Sequence, residues 1–175
     1  MLHFTGIPEP QLSNELKFPR LLLCLTADYR GRLAWFFAIM KTFTKEEIIA
    51  VYKAADLMVL ADNKVMSEEV ATVDEAMEKL GIISLSALKE IKALANQITQ
   101  EECYGLIAFL DVEQKRFVSA MLGAISSSDG DIDDSELELW RKICFNCDLP
   151  RMSNRQAIHI FQSYKLLWNT RDQIS

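Results

Sequence analysis

Glycine and proline are scarce in this chain. Six Gly and four Pro are spread over 175 residues, and three of the prolines (Pro8, Pro10 and Pro19) precede residue 20. Beyond that point Pro150 is the only proline, so the body of the chain has almost no helix breakers and is predicted to be all-α. Four cysteines (Cys24, Cys103, Cys144, Cys147) are too few to build a disulfide scaffold of this length, which points to reduced thiols in a cytoplasmic protein. Basic residues are outnumbered, 19 Lys and Arg against 25 Asp and Glu. Phosphate backbones are bound by clustered Lys and Arg, so a nucleic-acid partner is excluded. The formal charge of -6 suits a divalent cation or a basic protein surface instead.

Long apolar runs are also missing. A bilayer-spanning helix needs about 20 apolar residues. The best segments, Leu21–Leu25 and Leu33–Met40, are separated by Asp28, Arg30 and Arg32. The first twenty residues carry Glu9, Glu15 and three prolines, unlike a secretory signal with its basic start and single apolar block. Histidine is limited to His3 and His159, and neither a glycine-rich phosphate loop nor an H-E-x-x-H motif is present. His159, on an apolar helix, is expected to be packed rather than to bind a ligand. No catalytic constellation emerges, so the chain is read as a non-enzyme.

What is present is helical punctuation. Residues 1–39 hold no sustained helical period, and Met40-Lys-Thr-Phe-Thr-Lys-Glu-Glu reads like the start of a protein. Residues 1–39 are either a poorly ordered extension or mis-called start, or they contribute Leu33–Met40 as an apolar element; 40–175 is the helical domain. Thr44-Lys-Glu-Glu47, Thr99-Gln-Glu-Glu102 and Ser153-Asn-Arg-Gln156 are capping boxes, in which the hydroxyl takes one free backbone N–H and the side chain three residues on takes another. The helix opened by Thr44 is apolar nearly all round and should be central. Ser67 and Asp134 are expected as N-caps of two further helices, and Gly81 as a left-handed stop. The pattern predicts a bundle of about seven helices between residues 44 and 170.

An offset of 67 residues sets Asp129 on Asp62, Val65 on Ile132, Glu69 on Glu136, Val73 on Trp140, Met77 on Cys144 and Leu80 on Cys147. Caps, first-turn acids and apolar face all match, so two pseudo-repeated helix–turn–helix units are predicted. Cys144-Phe-Asn-Cys147 has the spacing of a zinc or redox pair, but no second pair completes a zinc site, and both cysteines fall on core positions of the other unit. Two buried thiols are the expectation.

The segment Ser126–Trp140 gathers Asp129, Asp131, Asp133, Asp134, Glu136 and Glu138 without one Lys or Arg. It has the look of the second half of an EF-hand loop, Asp129-Gly130-Asp131-Ile132 and then Glu136. Counting back from Glu136 as the twelfth position puts Ile125 first and Ser127 third, so the loop cannot coordinate calcium alone. If the two turns sit side by side, Asp62 and Glu69 join Asp129, Asp131, Asp133 and Glu136 around one divalent cation, Ca²⁺ or Mg²⁺. Alternatively Lys64 reaches into the second turn's acids with no metal. Folding explains part of the charge, since an acid in a first helical turn gains about 0.3–1 kcal/mol from the dipole. An exposed, highly charged turn is not expected to raise a carboxyl pKa.

A helix ending in Ala124 and followed by D-G-x-I-x-x-x-E-L (Asp129 to Leu137), paired with a copy ending in A-D-x-x-V-x-x-E-E (Ala61 to Glu69), resembles the TerB-like tellurite-resistance domain. The resemblance covers Thr44 to Trp168, and the first copy departs from it at Asn63 and Lys64. It implies an all-helical domain of two similar halves with an acidic, metal-associated face. It further implies a role in tellurite and stress resistance through partner proteins, often at the inner face of the membrane, hence peripheral membrane association. The family also occurs fused to J-domains, but no H-P-D tripeptide exists here. The competing reading is a metal-independent helical adaptor that docks a basic protein partner.

Overall fold

The central helix owes its place to composition. Helix α1 (Lys45–Val59) buries nine of its residues, Ile48 to Tyr52, Ala54, Ala55, Met58 and Val59. Such a helix has little face left for water, and accordingly it packs against five of the other six described helices. These are α2 (Ser67–Lys79), α3 (Leu85–Ala95), α4 (Gln100–Ala108), α5 (Val112–Ile125) and α6 (Asp134–Asn146). The seventh, α7 (Asn154–Asn169), lies along α5. In this computed structural model the described residues are 43–130 and 133–169, with side chains described as far as residue 164. Over them the protein is an all-α bundle, and no helix is long and apolar enough to cross a membrane. The expectations for residues 1–39, and for Asp131 and Cys24, lie outside the described residues.

The capping boxes set the helix starts. Thr44 Oγ1 accepts the Glu47 N–H at 3.2 Å while Glu47 takes the Thr44 N–H at 2.7 Å, and Thr99 with Glu102 repeats the arrangement at 3.2 and 2.7 Å. Ser153 and Gln156 do the same at the head of α7, with distances of 3.3 and 2.9 Å. A fourth box opens α5, where Asp111 accepts from Gln114 N at 2.8 Å and Gln114 answers at 2.9 Å. It lacks the Thr or Ser of the other three, because an aspartate carboxylate here replaces the hydroxyl. Two caps are corrected by one residue: Met66 and Asp133, not Ser67 and Asp134, are the N-caps of α2 and α6. The reason is that Glu69 and Glu136 reach back to the backbone N–H of Met66 and Asp133, at 2.9 and 3.4 Å.

The backbone repeats itself at the same 67-residue offset. Among the described residues four have positive φ, and they fall into two aligned pairs: Asn63 (61°) with Gly130 (86°), and Gly81 (88°) with Asp148 (52°). At the second pair the chain stops each helix alike, with Ile82 N–H donating to Met77 O and Leu149 N–H to Cys144 O, both at 2.9 Å. Those bonds satisfy carbonyls that the helix end would leave unpaired.

The core is closed by the last helix. Phe117 on α5 meets Phe43 edge-on at 6.1 Å between ring centroids, Phe161 at 6.2 Å and Tyr164 at 5.4 Å. Gly123 makes the α5–α7 approach feasible, since a Cβ there would lie 2.5 Å from Ala157 Cβ and 2.6 Å from Trp140 Cζ2. Lys79 at the end of α2 is buried; its ammonium pairs with Glu75 at 2.5 Å and sits 3.9 Å over the Phe161 ring.

Candidate functional site

Helix spacing carries two acids into the interior. Glu69, Val73, Ala76 and Leu80 succeed one another at intervals of four, three and four residues, and so do Glu136, Trp140, Ile143 and Cys147. All eight side chains are buried, Glu69 at 2% and Glu136 at 6% exposure. Val70, the apolar residue beside Glu69, is 40% exposed. The first turn of α2 therefore places its acid inward and its valine outward. The signal is present in the sequence, because helical periodicity puts Glu69 and Glu136 on the buried stripe.

The two turns lie side by side. The carboxyl groups of Glu69 and Glu136 share a hydrogen bond. A carboxyl–carboxyl bond requires a proton on one of them. Burial first, then the bond to Glu69 and the charges of Glu69 and Asp129, push Glu136 up to about 7, against the bond it accepts from the Asp133 amide. This corrects the expectation that the turn would not raise a carboxyl pKa: the residue concerned is buried, not exposed.

The remaining candidates surround this pair differently. Asp62 turns back on its own loop, accepting the Lys64 N–H at 2.8 Å, with the Lys64 ammonium 3.9 Å from its other oxygen. Asp133 caps α6 by accepting from Ser135 N–H at 2.8 Å, and also takes the Ser135 hydroxyl. Those bonds, with help from the Lys64 charge, hold Asp133 below the usual carboxylate range. Asp129 is exposed and near enough for its charge to act on Glu136. Lys64 of the first turn thus lies near Asp62 and close enough to the second turn's Asp133 for its charge to act there. Two carboxyl groups converge here; among the described residues no group of three or more His, Cys, Asp or Glu is arranged to hold a metal ion.

Apolar side chains border the acids on the outside. Leu60, Val65 and Met66 are 50%, 58% and 41% exposed, next to Val70. The surface at the paired turns is therefore acidic and greasy together, over the buried Glu69–Glu136 pair.

Elsewhere the described thiols are inert. Cys103, Cys144 and Cys147 are buried and free, and burial pushes Cys103 and Cys147 up to about 12. Cys103 donates its S–H to Ala50 O at 3.2 Å. A thiol held protonated is a weak nucleophile, so Cys144-Phe-Asn-Cys147 serves packing. His159 is not packed as expected; it is exposed on α7 and lines an open cavity with Ser127, Asn154 and Arg155. Asp56, on α1, is half-buried and its charge raises the pKa of Tyr52, behind the larger effect of burial.

Fold and site together define an all-helical domain whose paired turns join through buried carboxyl groups. A crystal structure of a protein of unknown function, PG1108 from Porphyromonas gingivalis W83, is similar to it, with 36% sequence identity and a TM-score of 0.62. The similarity covers 70% of this chain and 98% of that one. The chain belongs to the family of that protein. No protein-family model matches the sequence, and no curated protein matches it.

Proposed function

We propose that this chain is a non-enzymatic, TerB-like stress and tellurite-resistance module that acts on partner proteins through the acidic face at its paired turns. The observation that carries the reading is the Glu69–Glu136 pair, which joins the two turns beneath an open surface bearing Asp129, Asp133 and Asp134. Folding alone needs the N-terminal acids as caps; it does not need two of them buried against each other. A buried carboxyl pair costs stability whenever both are ionised, unless a proton or a cation lies between them. In this reading a divalent cation, Ca²⁺ or Mg²⁺, takes the proton's place between Glu69 and Glu136, with water completing its oxygen shell and the charge of Asp129 adding to the attraction. Ca²⁺ accepts six to eight oxygen ligands in flexible geometry, which suits carboxylates on two separate turns. Leu60, Val65, Met66 and Val70 would then give a basic, amphipathic partner segment its apolar contact.

A second reading has its own support. Lys64 lies 3.9 Å from Asp62 and its charge acts on Asp133, so it supplies positive charge without any metal. On this reading the face docks a basic partner directly, in the manner of an adaptor.

Calorimetric titration of the full chain with Ca²⁺, Mg²⁺, Mn²⁺ and Zn²⁺ at pH 8 separates the two. Saturable heat that disappears in Asp129→Asn/Glu136→Gln supports the cation. No heat with any ion at millimolar levels removes it and leaves the adaptor, whose binding to a lysine-rich amphipathic peptide should weaken as salt rises. Unchanged tellurite survival of a deletion strain would sink the resistance role.

A further inference from the structure

On the side of α6 that carries Arg141, a cavity of about 540 Å³ opens between that helix, the loop after it and the start of α7. Its lining includes Leu137, Trp140 and Met152 as apolar wall, and Arg141, Arg151 and Ser153 as polar rim. We propose that this cavity binds a small organic anion, its carboxylate or phosphate held by Arg141 and Arg151 and its apolar body resting against Trp140, Leu137 and Met152.

Three observations converge on that chemistry. The chain is acidic overall, at -6, yet two guanidinium groups rim this one cavity, and among the described residues neither has a carboxylate at ion-pair distance. A guanidinium offers a planar fork of donors matched to carboxylate and phosphate oxygens. The head of α7 opens at the same cavity through Ser153 and Asn154, and the partial positive charge of a helix start adds to the two arginines.

Trp140 is 4% exposed, and its indole N–H is buried without a hydrogen-bond acceptor among the described residues. An unpaired buried donor is unusual and costs stability. Gly123 receives the far edge of the indole, so the ring is held in place from behind. Arg151 also lies near enough to Cys144, in the cavity wall, for its charge to oppose the effect of burial on that thiol. A volume of about 540 Å³ falls in the range of small-molecule sites and is too small for a folded partner. The cavity shares no residue with the carboxyl pair, so this inference is independent of the proposed function.

The test is an NMR titration of the full ¹⁵N-labelled chain with phenyl phosphate and, separately, benzoate. The indole N–H signal of Trp140 is tracked, told apart from those of Trp35 and Trp168 by sequential assignment. The expected result is a saturable shift with one or both anions by about 10 mM, and none with benzyl alcohol, the uncharged counterpart. Which anion binds more tightly distinguishes a phosphate from a carboxylate ligand. Arg141→Gln/Arg151→Gln should weaken binding roughly tenfold or more, because it removes charge-assisted bonds from two exposed positions that do not support the core. The inference is overturned if neither anion shifts the signal, if benzyl alcohol shifts it equally, or if the double variant binds as well as the wild type.

Discussion

Replacing Glu136 with glutamine should stabilise this protein at alkaline pH and leave it nearly unchanged in mild acid. The folded chain holds the Glu136 proton to about 7, against an ordinary glutamate value of 4.5. The folded state therefore binds more protons than the unfolded chain between those values, and stability falls as pH rises from 4.5 through 7. Below 4.5 both states are protonated and there is no penalty; above 7 the penalty is complete. A difference of this size corresponds to about 3 kcal/mol at pH 8 and less than about 1 kcal/mol at pH 5. Glutamine copies the protonated form: its amide N–H₂ can donate to Glu69, and its oxygen can accept from Asp133 N–H. The substitution should thus raise Tm at pH 8 by roughly 5–10 °C and flatten the profile from pH 5 to 8. Thermal melts of both proteins across that range, with chelator present to remove divalent ions, provide the measurement. A variant that is less stable than wild type at pH 8, or that keeps the wild-type slope, would refute the shared-proton account of the pair. With Ca²⁺ or Mg²⁺ in place of chelator, the wild type alone should recover stability at pH 8 if the cation reading is right.

Packing sets two further outcomes. Gly123→Ala must push aside Ala157 or the Trp140 ring, both within 2.6 Å of the new methyl group, and should cost on the order of 2 kcal/mol in chemical denaturation; a neutral result would mean that α5 and α7 separate freely. Cys103 and Cys147, buried with thiols raised to about 12, should resist iodoacetamide at pH 8 in the native protein and react fully in denaturant, as read by peptide mass spectrometry; rapid native alkylation would show that the core opens readily.

Much of this fold is legible because its punctuation is local. A Thr or Ser with Glu or Gln three residues on determines its own helix start, and the three boxes at Thr44, Thr99 and Ser153 need no knowledge of the rest of the chain. The duplicated turns align for the same reason, and the alignment extends to a pair of left-handed residues whose sequences differ, Gly81 with Asp148. The features that sequence hides are long-range. Helical periodicity puts Glu69 and Glu136 each on the buried stripe of its helix, but only tertiary packing sets one against the other. Val70 faces outward because Glu69 has taken the inward position beside it. His159 has apolar neighbours in sequence, whereas α7 turns that edge away from α5. The arginine-rimmed cavity is invisible for a related reason: Arg141 and Arg151 come from separate segments and meet only once α6 and the head of α7 are in place.

The ring cluster at Phe117 bears on how the chain can be made. One of its neighbours, Phe43, precedes every described helix, and the other two, Phe161 and Tyr164, belong to the last. Synthesis runs from the N-terminus, so α1 to α6 leave the ribosome while the sides of Phe117 that face Phe161 and Tyr164, the Ala157 side of Gly123 and the aromatic seat for Lys79 are still open. Until α7 follows, the described helices α1 to α6 leave part of the apolar core open and the Lys79 ammonium without its ring. The final collapse is set by the emergence of one helix, which makes that interval the period in which the growing chain would most need a chaperone's cover.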